Sequence, residues 1–375
     1  MRQTAKSALM LVFAFWACGA GPTCESQSKS RDKAVPLWSQ RLLAPDDRKV
    51  TLKTPSFHGR EPTGVAFTDN GRLIAYRQDW TGKLSSRTSP DISSSFRLHA
   101  IVFDAVSGKE ILVKDWGVRA HNSFIGVTDG GILVRTGPEV KFYSRDLSEL
   151  QHLVLSEADT SIISISATGR TVLLNQYDRK ESHFEIRDGS TFELKKSWSE
   201  APPLRHLYSI SEVAIAAADS DQKRIVLSDF GSGRWKALDG SFKAGCIYSP
   251  ALLSDKLLAS EVCGKFVILS TEGATLLEDS PEKDESEGEQ IEASRYGQVV
   301  ATSLVRRKGG GFFDTDIRRV NDRIAVYDLS RKRRVLTVEV LPLPKKPCDF
   351  ALSPDGTKLA VLNDGVVSVY AVPIN

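Results

Sequence analysis

The side chains able to do chemistry are few in this sequence, and their spacing carries little pattern. The six histidines (His58, His99, His121, His152, His183 and His206) form no His-x-His or His-Glu-x-x-His pair, the spacings that bring two imidazoles to one metal. No Gly-x-Ser-x-Gly elbow presents a serine nucleophile. Aspartates recur at Asp104, Asp188, Asp229 and Asp328, each closing a short apolar run. At such turns the carboxylate accepts nearby backbone N–H groups, so a structural role is expected, not catalysis or calcium binding. No catalytic residue, metal or cofactor is expected. Cys246 and Cys263 fall at the same end of one expected hairpin. In an oxidising compartment they could form a disulfide; two separate buried thiols are the alternative. Cys348 is expected to be single and buried.

Recognition chemistry is more concentrated. The segment 306–320 (RRKGGGFFDTDIRRV) gathers Arg306, Arg307, Lys308, Arg318 and Arg319 around three glycines and the pair Phe312 and Phe313. A second segment, 79–96, carries Trp80 and Arg87 among many serines. Aromatic side chains with arginine are the composition of interface hot spots. The stretch 282–289 (EKDESEGE) is acidic, which leaves a second reading open, that of solvated insertions whose charges neutralise each other. The glycine triplet lacks the Lys-Ser/Thr of a phosphate loop.

The elements that must position these segments repeat. Residues 64–76 (GVAFTDNGRLIAY) and 348–362 (CDFALSPDGTKLAVL) each read as an apolar strand, a turn of Asp, Asn, Pro or Gly, and a second apolar strand. Weaker copies lie at 125–134, 162–174, 207–217, 246–259 and 291–301. The second strands begin near Arg72, Gly131, Arg170, Val213, Lys256, Gln298 and Thr357, at intervals of 59, 39, 43, 43, 42 and 59 residues. A period of about 40 to 45 residues is that of a four-stranded propeller blade. Third strands ending in Asp, such as IVFD at 101–104 and IAVYD at 324–328, and fourth strands after them complete the unit.

The FALSPDGTKLAVL and VYDLSRKRRVL segments resemble the WD-repeat-like and YVTN-type β-propellers, without the Gly-His and Trp-Asp dipeptides of the eukaryotic form. The resemblance implies an all-β, seven-bladed propeller of four-stranded antiparallel blades over residues 37–375. The last blade lacks a fourth strand at the C-terminal end of the sequence, and the apolar segment 37–43 (LWSQRLL) is expected to supply it. Both long intervals place their excess between second and third strands. In propellers of this type that puts both insertions on one face, flanking the last blade, with the connections 44–61, 279–289 and 341–347 opening beside them.

Composition fits an ordinary globular chain: 375 residues, 41% hydrophobic, 26% charged, net charge +3. That balance argues against nucleic acid as a partner. At the N-terminus, Arg2 and Lys6 precede an apolar run, Ala8 to Ala17, followed by small residues. This is the pattern of a signal peptide over residues 1–20, with a polar tether at 21–36. Cys18 also permits a lipid anchor. The expectation is an exported, periplasmic or extracellular, monomeric, non-catalytic binding module that meets a protein partner through long loops on one face. The alternative is a hydrolytic, lactonase-like or small-ligand propeller with its site at the central channel.

Overall fold

The computed structural model describes residues 34–42, 63–80, 96–118, 123–155, 161–177, 181–200, 208–219, 224–230, 234–238, 247–262, 265–282, 285–295, 297–308, 318–343 and 348–374. Residues 34–375 form one compact unit. The first strand, β1 (Trp38–Arg41), is followed by blade 1: β2 (Gly64–Phe67), β3 (Arg72–Trp80), β4 (Phe96–Asp104) and β5 (Glu110–Val118). Blade 2 is β6 (Ser123–Val127), β7 (Ile132–Thr136), β8 (Glu139–Tyr143) and β9 (Glu149–Val154). Blade 3 is β10 (Ser161–Ile165), β11 (Thr171–Tyr177), β12 (Ser182–Asp188) and β13 (Leu194–Glu200). Blade 4 is β14 (Tyr208–Ile210), β15 (Ala214–Asp219), β16 (Arg224–Asp229) and β17 (Trp235–Ala237). Blade 5 is β18 (Ile247–Leu252), β19 (Leu257–Val262), β20 (Lys265–Ser270) and β21 (Thr275–Asp279). Blade 6 is β22 (Glu285–Ala293), β23 (Val299–Lys308), β24 (Arg318–Asp328) and β25 (Arg333–Glu339). Blade 7 is β26 (Asp349–Leu352), β27 (Lys358–Asn363) and β28 (Val366–Ala371). Every pairing is antiparallel, and β1 pairs with β28, so the chain's first strand is the outermost strand of its last blade.

The core consists of seven apolar wedges among the described residues, one between each pair of neighbouring blades. Second strands sit between two wedges. On β3, Leu73 and Ala75 pack toward blade 7 while Ile74 and Tyr76 pack toward blade 2. Burial of both faces is why these strands read as unbroken apolar runs, not as alternation. At the seam, the Trp38 indole N–H donates to the Ala105 carbonyl at 3.1 Å and its ring meets Phe103. Leu42, just past β1, is 1% exposed in the same wedge. Gly108, at φ +71°, gives the indole its room, since a Cβ there would lie 2.7 Å from Trp38.

The strand direction defines two faces. Turns between first and second strands, and between third and fourth, lie at one end of every blade; connections between blades and between second and third strands lie at the other. The first we call the turn face, and its turns bond to one another across six of the blade boundaries. Arg72 meets Asp146 at 3.1 Å between blades 1 and 2, and Asp129 N–H donates to Gly169 O at 2.8 Å between blades 2 and 3. Thr171 donates to Glu212 at 2.6 Å, Glu212 N–H to Asp255 at 3.0 Å, Arg295 N–H to Pro354 O at 3.0 Å, and Asp355 N–H to Asn70 Oδ1 at 3.0 Å. Gly169, at φ +75°, is obligatory at its seam because a Cβ would stand 2.7 Å from the Asp129 nitrogen.

Candidate binding face

The opposite end, the hairpin face, carries the longest second and third strands. β3 and β4 have nine residues each, and β23 and β24 have ten and eleven, against five to seven in the other blades. Two long hairpins therefore stand on blades 1 and 6, either side of blade 7. Between them, the connection from β25 to β26 exposes Leu341 and Leu343, at 65% and 38%.

This geometry corrects part of the sequence reading. Trp80, Arg306, Arg307, Lys308, Arg318 and Arg319 lie within strands, not within loops: Trp80 ends β3, and the basic residues pair across β23 and β24. Strand pairing satisfies the backbone of these residues as far as Trp80 with Phe96 and Lys308 with Arg318. Arg87, Phe312 and Phe313 lie outside the described residues, as do Cys246, Cys263, Cys18, His58, His121 and His206. The acidic stretch is likewise no open connection, because β22 begins at Glu285. One of its carboxylates is taken inside: the Glu285 side chain is fully buried and pairs with Arg323, whose side chain is 2% exposed. Arg323 also meets Glu282 at 3.1 Å, and Glu282 meets Arg306 at 3.1 Å. A bulge between Glu287 and Ile291 lets one strand hold both this buried ion cluster and the register below it. Charge neutralisation between the two segments is thus intramolecular at Arg306.

The remaining polar residues of the sequence reading fall into structural roles. Asp104 accepts the N–H groups of Val106 and Ser107 at 3.1 and 2.7 Å, and these donors hold its carboxyl below the usual range. Asp188 does the same for Ser190 and Thr191; its Lys195 partner is the main cause that lowers it to about 2. On blade 3, His183 Nδ1 lies 3.2 Å from the Ser199 hydroxyl and Nε2 lies 3.6 Å from Glu185. The trio has the residue types of a nucleophile triad. Arg187, however, holds Glu185 with two bonds of 2.9 and 2.7 Å, so the carboxylate is matched by guanidinium and the three form a polar ladder across strands. His99 pairs with Asp115 at 2.7 Å across β4 and β5. Cys348 is buried, its Sγ 3.9 Å from the Asp322 carboxylate. Among the described residues no three His, Cys, Asp or Glu side chains are grouped to hold a metal.

The innermost strands supply a feature that sequence reasoning missed. Glu292 on β22 is sealed from most water and opposed by the charge of Asp349 on β26, and these causes, burial first, raise its carboxyl to about 8. Gln290 donates to Glu292 at 3.2 Å and, across the blade boundary, to Phe350 O at 2.8 Å. Asp349 accepts Val65 N–H of blade 1 at 2.7 Å. The Tyr76 hydroxyl is raised by burial and by both carboxylates. The only signal in the sequence was one Glu between the apolar Ile291 and Ala293, at the end of a strand that is otherwise mostly polar (ESEGEQ). At the turn face, Arg295 of blade 6 meets Asp129 of blade 2 at 2.9 Å. These blades are not neighbours in the ring, so the ion pair crosses the mouth of the channel there.

Fold and faces together define a seven-bladed β-propeller closed by its own N-terminal strand. Similarity to solved structures bears this out. The Pan2 WD40 domain of Neurospora crassa matches with a TM-score of 0.55 and 12% identity, over 92% of this chain and 97% of that one. The C-terminal WD40 domain of Sif2 matches at 0.51 and 11%, over 91% and 99%. A chain of the mitotic checkpoint complex matches at 0.51 and 13%, over 97% and 99%. No protein-family profile matches the chain, and no curated protein matches it in sequence.

Proposed function

We propose that the protein is an exported, non-catalytic binding module that recognises a protein partner on its hairpin face. The observation that carries this reading is the asymmetry of the two ends. One is bonded turn to turn and crossed by Arg295 and Asp129, while the other raises two long hairpins around Leu341 and Leu343. Rigid scaffolds with long excursions on one side are how propellers and similar folds present recognition surfaces. One structural neighbour is a chain of a multi-protein assembly, the mitotic checkpoint complex, which supports a protein as the ligand class. Export rests on the N-terminal pattern of Arg2, Lys6 and the apolar run 8–17, and is tested by N-terminal sequencing of the mature protein. The partner is tested by affinity capture from the native envelope beside a variant in which residues 306–319 are replaced by a Gly/Ser linker. A partner held by the first and lost from the second supports the reading.

One observation favours a second reading, a small ligand or hydrolytic substrate in the channel. Glu292, its carboxyl raised to about 8 by burial and by Asp349, stands close to that second carboxyl, and paired carboxyl groups are of the kind that share proton-transfer work. With Arg295 across the turn-face mouth, such a ligand would enter from the hairpin face. A panel of ester and lactone substrates tests this: turnover lost in Glu292→Gln supports it, and absence of turnover removes it.

A further inference from the structure

The sequence contains a single Asn-Gly dipeptide, Asn70–Gly71, in the exposed turn that joins β2 to β3. Its surroundings are arranged in an unusual way. The Gly71 N–H donates to Asp69 Oδ1 at 2.8 Å. The Asn70 carboxamide oxygen accepts the backbone N–H of Asp355 from blade 7 at 3.0 Å. The Gly71 amide nitrogen thus has a carboxylate on its proton, and the Asn70 Cγ carbonyl, four bonds away so that attack closes a five-membered ring, has a fixed donor on its oxygen. General-base assistance and oxyanion stabilisation are what attack of that nitrogen on that carbonyl requires. Chain connectivity already holds the two within reach.

We propose that Asn70 is a self-modifying site, its carboxamide converted through a cyclic imide with Gly71 to aspartate and isoaspartate. The Gly71 nitrogen forms a bond to Asn70 Cγ and gives up its proton by way of Asp69. The Cγ–Nδ2 bond breaks, and nitrogen leaves as ammonia with that proton. Water then adds to either imide carbonyl, opening the ring to aspartate or to isoaspartate, with no oxidant or reductant needed. Isoaspartate lengthens the backbone inside a turn closed by Thr68 N–H to Arg72 O at 3.0 Å, and shifts the side chain that ties blade 1 to blade 7. The modification thus falls on the seam where the ring closes, and it adds a negative charge beside Asp69 and Asp355.

The test is peptide mass spectrometry of the full chain aged in buffer, comparing folded protein, urea-unfolded protein and the folded variant Asp69→Ala. We expect a gain of about 1 Da at Asn70, about tenfold or more faster in the folded chain than in the unfolded one, and reduced toward the unfolded rate in Asp69→Ala. The variant's fold is checked by its unchanged circular dichroism, since Asp69 lies on the surface turn. Slower conversion in the folded wild type than in the unfolded chain, or no change on removing Asp69, would overturn the proposal.

Discussion

Glu292 makes a prediction that a single titration can check. Its carboxyl is raised from the ordinary value to about 8 by burial and by Asp349, so between those limits the folded state holds a proton that the unfolded chain has released. Stability from this residue is therefore complete under acid conditions and is lost as pH rises through about 8. Glu292→Gln should equal the wild type near pH 5 and exceed it near pH 9 by on the order of 3 kcal/mol, read from urea midpoints. An equal difference at both pH values would contradict the cause assigned. Arg323 behaves differently. Arg323→Ala strands Glu285 inside the protein and should cost about 3–5 kcal/mol, whereas Arg323→Met with Glu285→Leu should recover most of it. Neither site was legible in the sequence. Glu285 looked like one member of a solvated acidic run, and Arg323 like one of several arginines, because their partnership depends on which strand residues share a wedge. The turn aspartates, by contrast, were legible, since Asp104 and Asp188 act on N–H groups two and three residues away.

Among the elements, β1 has the largest consequence for its size. Four residues complete blade 7, and Trp38 anchors them in blade 1 through the Ala105 carbonyl. Trp38→Ala should lower stability by about 2–4 kcal/mol, near the lower end for buried aromatics because the ring is only half-buried. Removal of residues through 43 should drop the melting midpoint steeply, and an unchanged midpoint would contradict closure by this strand. The strands themselves were readable to within a residue or so: the second strands begin at Arg72, Ile132, Thr171, Ala214, Leu257, Val299 and Lys358, at or just after the markers. The reason is physical, because two-sided burial and turn residues are local properties. The long hairpins were less readable. Polar sequences such as RRK and RRV carry no strand alternation, and only pairing between β23 and β24 makes them strands.

For the molecule as a whole, the ring turns a repeat of local hairpins into two unlike ends. Closure makes each blade depend on both neighbours, so unfolding should be cooperative and no single blade should persist alone. The Arg295 and Asp129 pair spans the ring without holding it: both are partly exposed, and Arg295→Ala should change stability by no more than about 1 kcal/mol, measured by thermal melting. The asymmetry of the two ends instead lies in where chain length is added, on blades 1 and 6, which the unequal spacing of the repeats already marked. The sequence could not show what lies between those hairpins, because Leu341 and Leu343 come to lie there only once blade 7 is in place.

The central claim is that the hairpin face meets a protein. It is tested most directly by photo-crosslinking in the cells that make the protein, with a crosslinking residue placed in turn at Leu341, Leu343, Val106 and Val213. All four are exposed, the first two on the hairpin face and the last two on the turn face. The account predicts a common protein adduct from Leu341 and Leu343 and none from Val106 and Val213. Adducts from the turn face alone, or from neither face, would contradict it.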